Sequence, residues 1–238
     1  MSKDYSKYIN RPGYQVPAGY DPSKYPGQSA TADIVILSFF NGRLQALLIR
    51  RKKMPFQGYW AIPGGFVEME EDLPEAAARE LFEETGIKNL QLIEFGAFGH
   101  PHRDPRTRTI TIAYLALARK DQVQPRAGDD AEDYAWFPAR NPPELAFDHQ
   151  LVLQGALSRL QELSLLTPAL FEILPKAFSS AELQELSQEI FQKRSDEKWL
   201  VKKMRGQKLI KSAGQMKFKF APGNFFPGSL SFLIAKKV

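Results

Sequence analysis

Residues 65–87 read GFVEMEEDLPEAAARELFEETGI, and this stretch decides the fold. Asp72 and Glu75 have the spacing of a capping box, in which each residue satisfies a free backbone N–H at the start of a helix. Pro74 suits a first helical turn, and Gly86 suits the residue just past the last turn. The stretch therefore predicts a helix that begins after Asp72 and ends before Gly86.

Three glutamates of this predicted helix share one face. Glu80, Glu83 and Glu84 are spaced i, i+3 and i+4, so their carboxylates lie side by side. Grouped carboxylates repel one another unless a cation lies among them, and hard oxygen ligands suit Mg²⁺ or Mn²⁺. Arg79 precedes Glu83 by four residues and can orient it through a charge-assisted hydrogen bond. The alternative interpretation is a solvated acidic helix face.

The same segment resembles the signature of the Nudix hydrolases. Every position of that pattern is filled: Gly65, five residues, Glu71, seven residues, Arg79-Glu80-Leu81, one residue, Glu83-Glu84, one residue, Gly86-Ile87. The resemblance implies an α/β/α sandwich with a mixed sheet over residues 30–163. It also implies metal-dependent hydrolysis of a nucleoside diphosphate linked to another group. The catalytic residues would then be Glu83, Glu84 and Arg79, and the metal site Glu80, Glu83, Glu84 and the backbone at Gly64.

The segments before the motif agree with this resemblance. DIVILSFF (33–40) and RLQALLIRRK (43–52) are apolar runs separated by Asn41-Gly42, a strong signal for a type I′ hairpin. FQGYWAIPGGF (56–66) then leads into the motif, much as in the ADP-ribose pyrophosphatase branch of the family. From this part of the chain we expect Arg51 and Trp60 to contact the substrate.

A basic loop is predicted after the helix. HPHRDPRTR (100–108) resembles a loop of the ADP-ribose pyrophosphatases and their regulatory relatives, and it precedes TITIAYLALA (109–118), which alternates like a strand. Guanidinium groups bind oxyanions bidentately, so we expect Arg103 and Arg106 to contact the diphosphate or ribose. The alternative is a basic turn in which Asp104 pairs with an arginine for structural reasons.

An acidic segment, AGDDAEDYAWFPA (127–139), comes before a further predicted strand. Asp129 and Asp130 can supply an extra metal ligand or the general base for water, or they can form a solvated turn. LAFDHQLVLQGALSRL (145–160) then predicts a helix capped by Asp148. Its predicted inward positions include Leu151, Ala156 and Leu160, and His149 is expected to orient or pack rather than catalyse.

Chain length, cysteine content and hydropathy limit the classes of protein to which this chain can belong. The 238 residues are long enough to bury a sizeable core, and there is no cysteine for a disulfide, a thiolate zinc site or a nucleophile. No apolar run approaches the length of a membrane-spanning helix, and the first residues lack a basic-then-apolar leader. These features predict a cytoplasmic protein with no membrane partner.

Charge is distributed unevenly along the chain. Residues 193–238 hold twelve Lys and Arg against Asp196 and Glu197, a surplus of ten positive charges, whereas residues 1–192 carry a surplus of five negative charges. An asymmetry on this scale suggests a second module with an anionic partner. Residues 1–29, rich in Tyr and Pro, show no regular period and are predicted to form an extended arm.

The basic segment has the pattern of a DNA-binding module over residues 164–238. FSSAELQELSQEIFQK (178–193) opens with a capping-box pair, SDEKWLVKKMRGQKLI (195–210) predicts a basic helix, and short β-rich pieces follow. Helix, basic helix and hairpin is the order of a winged helix-turn-helix. It resembles the C-terminal module of the Nudix-related transcriptional regulators of NAD metabolism. The alternative is a basic helical appendage that supports dimer packing.

Two functions are consistent with these patterns. One is a hydrolase that cleaves ADP-ribose or a related nucleoside diphosphate sugar with Mg²⁺ or Mn²⁺. The other is a transcriptional regulator of NAD metabolism whose Nudix domain senses ADP-ribose with little or no turnover. Both predict a homodimer and a double-stranded DNA partner. The predicted DNA contacts are Arg194, Lys198, Lys202, Lys203 and Arg205, with Lys217 and Lys219 on the wing.

Overall fold

The computed structural model describes residues 27–126, 131–193, 196–214 and 216–221. Nearly all of the predicted N-terminal arm lies outside these residues. So do three candidate site residues, Asp129, Asp130 and Arg194. Within the described ranges, no helix is long and apolar enough to cross a membrane.

A mixed sheet forms the centre of the larger module, as predicted. Its strands are β1 (Ser29–Phe40), β2 (Arg43–Arg51), β3 (Trp60–Ala61), β4 (Gly64–Phe66), β5 (Leu92–Phe98), β6 (Thr109–Leu117) and β7 (Ala131–Pro138). The central strand β1 pairs in parallel with β6 and antiparallel with β2 and β4. β7 extends the sheet along β2, and β5 extends it along β6.

The β1–β2 turn confirms the hairpin prediction. Asn41 and Gly42 both have positive φ, 53° and 72°, and the flanking pair Phe40 and Arg43 closes the ladder. Positive φ at both central residues is the type I′ geometry, whose twist matches the right-handed twist of the strands. The turn therefore sets the register of β1 and β2 through local chemistry.

Two helices cover opposite faces of the sheet. These are α1 (Leu73–Thr85) and α2 (His149–Leu166). Alternate residues of β1 divide between them: Val35, Leu37 and Phe39 join the core that contains α2, and Ala32, Ile34 and Ile36 join the core that contains α1. This division follows from the two-residue side-chain period of a strand, and it makes the α/β/α sandwich.

The start of α2 corrects two details of its prediction. Asp148 is the N-cap residue, but its side chain makes no capping hydrogen bond, because it binds an arginine instead. Leu151 is 58% exposed, so the prediction that it faces inward was wrong, whereas Ala156 and Leu160 are fully buried. The buried face runs through His149 and Val152, and Leu151 projects to its other side. The predicted domain boundary at residue 163 lies within α2.

The C-terminal module has helix–helix–hairpin topology, as predicted for a winged helix-turn-helix. Its elements are α3 (Ala169–Glu172), β8 (Phe178–Ser179), α4 (Ser180–Phe191), α5 (Glu197–Gly206), β9 (Ile210–Ser212) and β10 (Lys217–Phe220). The strands pair antiparallel in the order β8-β10-β9. The predicted capping box of Ser179 and Glu182 is present, and Asp196 caps α5 by accepting from the Trp199 N–H at 2.7 Å.

The two modules share one hydrophobic core. The cluster on the α2 side of the sheet also contains Leu183, Leu186, Leu200 and Met204 from the winged helix. Polar contacts complete the junction. The Leu44 N–H donates to the Glu189 carboxylate at 3.1 Å. Arg140 donates to the carbonyl oxygens of Glu189 and Ile190 at 2.8 and 3.0 Å, at the end of α4.

Replacing Arg140 by Ala should destabilise the protein by about 1–2 kcal/mol, because the last carbonyls of α4 lose a charged donor. The measurement is the free energy of unfolding in urea. Arg159→Ala is the control, since the Arg159 guanidinium pairs with Glu162 of the same helix, α2. Its loss should stay below about 0.5 kcal/mol. Equal losses in the two variants would contradict a role for Arg140 at the module junction.

Candidate functional site

Helix α1 is held at both ends by the signals in its sequence. The Glu75 carboxylate accepts from the Asp72 N–H at 3.0 Å, and the Asp72 carboxylate accepts from the Leu73 N–H at 2.8 Å. Gly86 terminates the helix with φ 70°, a left-handed conformation that suits glycine. The caps fix where the helix begins and ends, whereas Ala76, Ala77 and Leu81 pack against the sheet and so turn Glu80 and Glu84 toward β4.

Arg79 organises the acidic face of α1. Its guanidinium donates to Glu71 at 2.6 Å, to Glu80 at 2.7 Å and to Glu83 at 3.0 Å. It also donates to the Phe66 carbonyl at 2.9 Å. The hydrogen bond to Glu83 is the one expected from the sequence. One arginine thus ties three signature carboxylates to the backbone that precedes the helix.

Glu84 is buried where the helix meets the sheet. It is 8% exposed, and its carboxylate accepts from the Gly64 N–H at 2.8 Å. Burial raises the pKa of Glu84 to about 8, and the negative charges of Glu80 and Asp33 act in the same direction. Burial likewise raises the pKa of Glu80. A cluster of this kind stores electrostatic repulsion that a cation can relieve.

Glycine at position 65 makes room for one of these carboxylates. A Cβ built on Gly65 would lie 2.3 Å from an oxygen of Glu80, closer than atoms pack. The backbone of β4 therefore runs directly against the carboxylate group. The missing side chain at Gly65 is what allows this close approach.

A cavity of about 380 Å³ opens over this acidic face. One wall carries Glu80, Glu83 and Glu84, and the cationic groups of the lining are Arg51, Lys53, Arg79, Arg103 and Arg106. Phe66 and Phe147 add aromatic surface. Carboxylates next to cationic groups provide complementary binding for a metal ion and for phosphate oxygens. The structure therefore brings most of the predicted site residues to one cavity.

Trp60 is not brought to this cavity. Its indole packs edge-on against Phe137, with the ring centres 4.8 Å apart, and it contacts the core on the α2 side. Successive residues of a strand face opposite sides, and the neighbouring Ala61 takes the other side in a small separate cluster. This placement gives Trp60 a packing role.

Arg103 lines the cavity but belongs to a buried ion network. Its side chain is 4% exposed and donates to Asp148 at 2.7 Å and to Asp33 at 3.2 Å. Asp148 comes from the start of α2 and Asp33 from β1. The guanidinium therefore joins the 100–108 loop to the central strand β1 and to the start of α2, a partnership that its sequence neighbours do not reveal.

Arg106 has a more open position on the same loop. It pairs with Asp104 at 2.7 Å and is 41% exposed at its side chain. Its guanidinium lies over the rings of Phe66 and Phe147, 4.9 and 5.7 Å from their centres. The structural pairing with Asp104 is thus present, and the same side chain also lines the cavity. Contact of Arg106 with a substrate stays a prediction.

His149 is buried and orients the strand segment that leads to Gly64. Its Nδ1 accepts from the Ile62 N–H at 2.9 Å, and its Nε2 lies 3.8 Å from Asp33. Burial lowers its pKa, which favours the neutral imidazole. These contacts agree with the orienting or packing role expected from the sequence.

The donor set suits a divalent cation of the hard type. The candidate ligands of α1 are all carboxylate oxygens, and buried like charges favour a cation among them. In the described part of the chain no three acidic or histidine side chains already form a metal-binding group. Arg79 accounts for this, because it draws Glu80 and Glu83 to itself.

The basic helix of the C-terminal module presents its charges outward. Leu200 and Met204 of α5 are buried, whereas its predicted DNA contacts are exposed, namely Lys198, Lys202, Lys203 and Arg205. On β10, Lys217 and Lys219 are exposed and alternate with partly buried Phe218 and Phe220. A shallow hollow between α5 and β10 is lined by Lys198, Lys202 and Arg205. Exposed positive charges therefore lie on both α5 and β10.

Comparison with known proteins agrees with this architecture. The NUDIX domain model matches residues 30–154. The ADPR responsive transcriptional repressor NtrR of Acinetobacter baylyi is 34% identical over 84% of this chain and 81% of its own. An ADP-ribose pyrophosphatase of Methanocaldococcus jannaschii is 42% identical over 45% of this chain and 63% of the enzyme. The structure of Shewanella oneidensis NrtR complexed with a 27mer DNA aligns with a TM-score of 0.67 and 25% identity, over 82% of this chain and 94% of that one.

Replacing Arg103 by Ala should destabilise the fold by about 3–5 kcal/mol, because Asp33 and Asp148 would stay buried without their cation. Arg106→Ala is the matched control on the same loop. Its partner Asp104 is buried but keeps its hydrogen bond from the Arg106 backbone N–H, so the expected loss is smaller, about 1–2 kcal/mol. Free energies of unfolding in urea give both values. A loss at Arg103 no larger than that at Arg106 would contradict the structural role of the buried network.

Proposed function

Because the chain belongs to the NUDIX family, we propose that it cleaves the diphosphate of ADP-ribose, or of a related nucleoside diphosphate sugar, with Mg²⁺ or Mn²⁺. One observation carries this proposal. Glu80, Glu83 and Glu84 face a single cavity that Arg51 and Arg106 also line. The relative from Methanocaldococcus jannaschii, an ADP-ribose pyrophosphatase, supports the substrate class.

We assign separate roles in cleavage of the diphosphate to different residues of the cavity. Glu80, Glu83 and Glu84 would hold a divalent cation, which when bound neutralises phosphate charge and activates water. Arg79 keeps Glu80 and Glu83 on the same side of the helix. Arg51 and Arg106 would bind phosphate oxygens, while Arg103 supports the loop through its buried ion pairs. Asp129 and Asp130 remain proposed as a source of the general base.

We further propose that the C-terminal module binds double-stranded DNA through α5 and β10. Exposed lysines and arginines on a helix of about ten residues match the shape and charge of a DNA groove. Shewanella oneidensis NrtR has been crystallised with DNA, and the Acinetobacter relative is a repressor. A homodimer would present two such helices to paired half-sites.

The second candidate is a regulator that binds ADP-ribose with little or no turnover. Its specific support is the Acinetobacter relative, an ADPR responsive repressor that matches most of the chain. Hydrolysis of ADP-ribose and release of DNA by ADP-ribose, measured on the same preparation, separate the two candidates. Fast hydrolysis favours the enzyme, whereas DNA release without product favours the regulator.

Replacing Glu84 by Gln should reduce turnover of ADP-ribose about a thousandfold, because it removes a metal-holding charge. The amide oxygen can still accept from the Gly64 N–H, so the fold should be preserved. The measurement is the steady-state rate with Mg²⁺. Glu75→Gln is the control on the same helix, since glutamine also completes a capping box. A Glu84→Gln variant as active as Glu75→Gln would contradict the catalytic role.

Replacing Lys202 and Lys203 together by Ala should weaken DNA binding and reduce its salt dependence. Each phosphate contact contributes about −0.9 to the slope of log affinity against log salt, so losing two contacts should flatten it by roughly two units. Fluorescence anisotropy with a duplex oligonucleotide at several salt concentrations measures the slope. Lys88→Ala with Lys120→Ala changes the net charge equally on the larger module. An equal change in slope for both pairs would refute a groove-facing α5.

A further inference from the structure

Phe147 has an unusual backbone conformation for a bulky residue. It lies just before α2 with φ 54°, in the left-handed region that side chains with a Cβ rarely adopt. Strained residues persist where the surrounding structure holds them, and they concentrate at functional sites. Phe147 is partly buried and lines the cavity. This conformation therefore points to a functional role for Phe147, and the contacts of its ring indicate which role.

The ring of Phe147 is a meeting point for two cationic side chains. The guanidinium of Arg51, at the end of β2, lies 4.9 Å from the ring centre. The guanidinium of Arg106, from the 100–108 loop, lies 5.7 Å from it. Both distances are within the range of cation–π attraction. One aromatic ring thus links two cations from separate segments, both of which line the cavity.

Neighbouring groups prevent the Phe147 ring from moving away. Phe56 packs edge-on against it with a centre distance of 4.8 Å, and the buried His149 ring lies 5.3 Å away. The contacts of His149 with Ile62 and Asp33 connect this side of the Phe147 ring to the sheet. The ring is therefore a fixed platform rather than a mobile side chain, and it restricts the two long arginine side chains.

We propose that Phe147 is a positioning residue that holds Arg51 and Arg106 ready to bind the phosphate groups of the ligand. This inference rests on the proposed function, because it assumes a phosphate-containing ligand in the cavity. Asp104 holds one side of the Arg106 guanidinium, and the Arg51 Nε donates to the Pro55 carbonyl at 2.9 Å. The ring adds a face that both guanidiniums share, so they lose less rotamer freedom when the ligand binds. The left-handed backbone places the ring where both arginines reach it.

The test is a double-mutant cycle on the full chain. The dissociation constant of ADP-ribose is measured by calorimetry with EDTA present to prevent turnover. Phe147→Leu should raise that constant about tenfold, because without the ring the two guanidiniums lose more rotamer freedom when the ligand binds. Phe147→Tyr keeps the aromatic face and should restore affinity to within about threefold. In a background with Arg51→Ala and Arg106→Ala, Phe147→Leu should change the constant less than about twofold.

Two further variants control for the loss of a nearby ring and for misfolding of Phe147→Leu. Tyr59→Leu removes an exposed ring that contacts Phe56 but should leave affinity unchanged. If Phe147→Leu fails to fold, Phe147→Met takes its place in the cycle. Wild-type binding with an equal Phe147→Leu effect in both backgrounds would overturn this inference alone. Absence of ADP-ribose binding by the wild-type chain would overturn the proposed function together with it.

Discussion

The burial of negative charge between α1 and the sheet is the constraint on which the rest of the structure depends. Glu80 and Glu84 are each 8% exposed and share their surroundings with Asp33. Such a cluster is unfavourable unless donors surround it. The Gly64 N–H and Arg79 supply those donors, and the glycine pair admits the carboxylates close to the backbone. The packing of Ala76, Ala77 and Leu81 against the sheet matters because a rotated helix would lose this fit.

Arginine side chains compensate this negative charge at two depths, one in the interior and one on the cavity wall. Arg103 is enclosed and paired with two aspartates, so it fixes the scaffold. Arg51 and Arg106 lie on the cavity wall, where an aromatic ring rather than carboxylates alone orders them. Separation of structural from accessible arginines lets the wall keep positive charge that a phosphate can use. A fully neutralised wall would have no such capacity.

Local signals in the sequence predicted much of this architecture. The caps of α1 and α4 and the Asn41-Gly42 turn depend on residues a few positions apart, and the structure has them as expected. Contacts between distant segments were beyond such reasoning. Asp148 resembled a helix cap, but its carboxylate binds Arg103, which lies 45 residues earlier. The strained conformation of Phe147 likewise depends on packing against separate elements, and no sequence motif predicts it.

The common core of the two modules has a consequence for how they respond to ligands. Leu44 and Arg140 of the sheet module bind α4, and apolar side chains from both modules pack in one cluster. Elements joined in this way unfold as one cooperative unit. Free energy released by a ligand in the cavity therefore stabilises the winged helix as well, since binding to the native state shifts the whole folding equilibrium. Occupancy of the cavity and the stability of the C-terminal module are therefore linked thermodynamically, even where no atom moves.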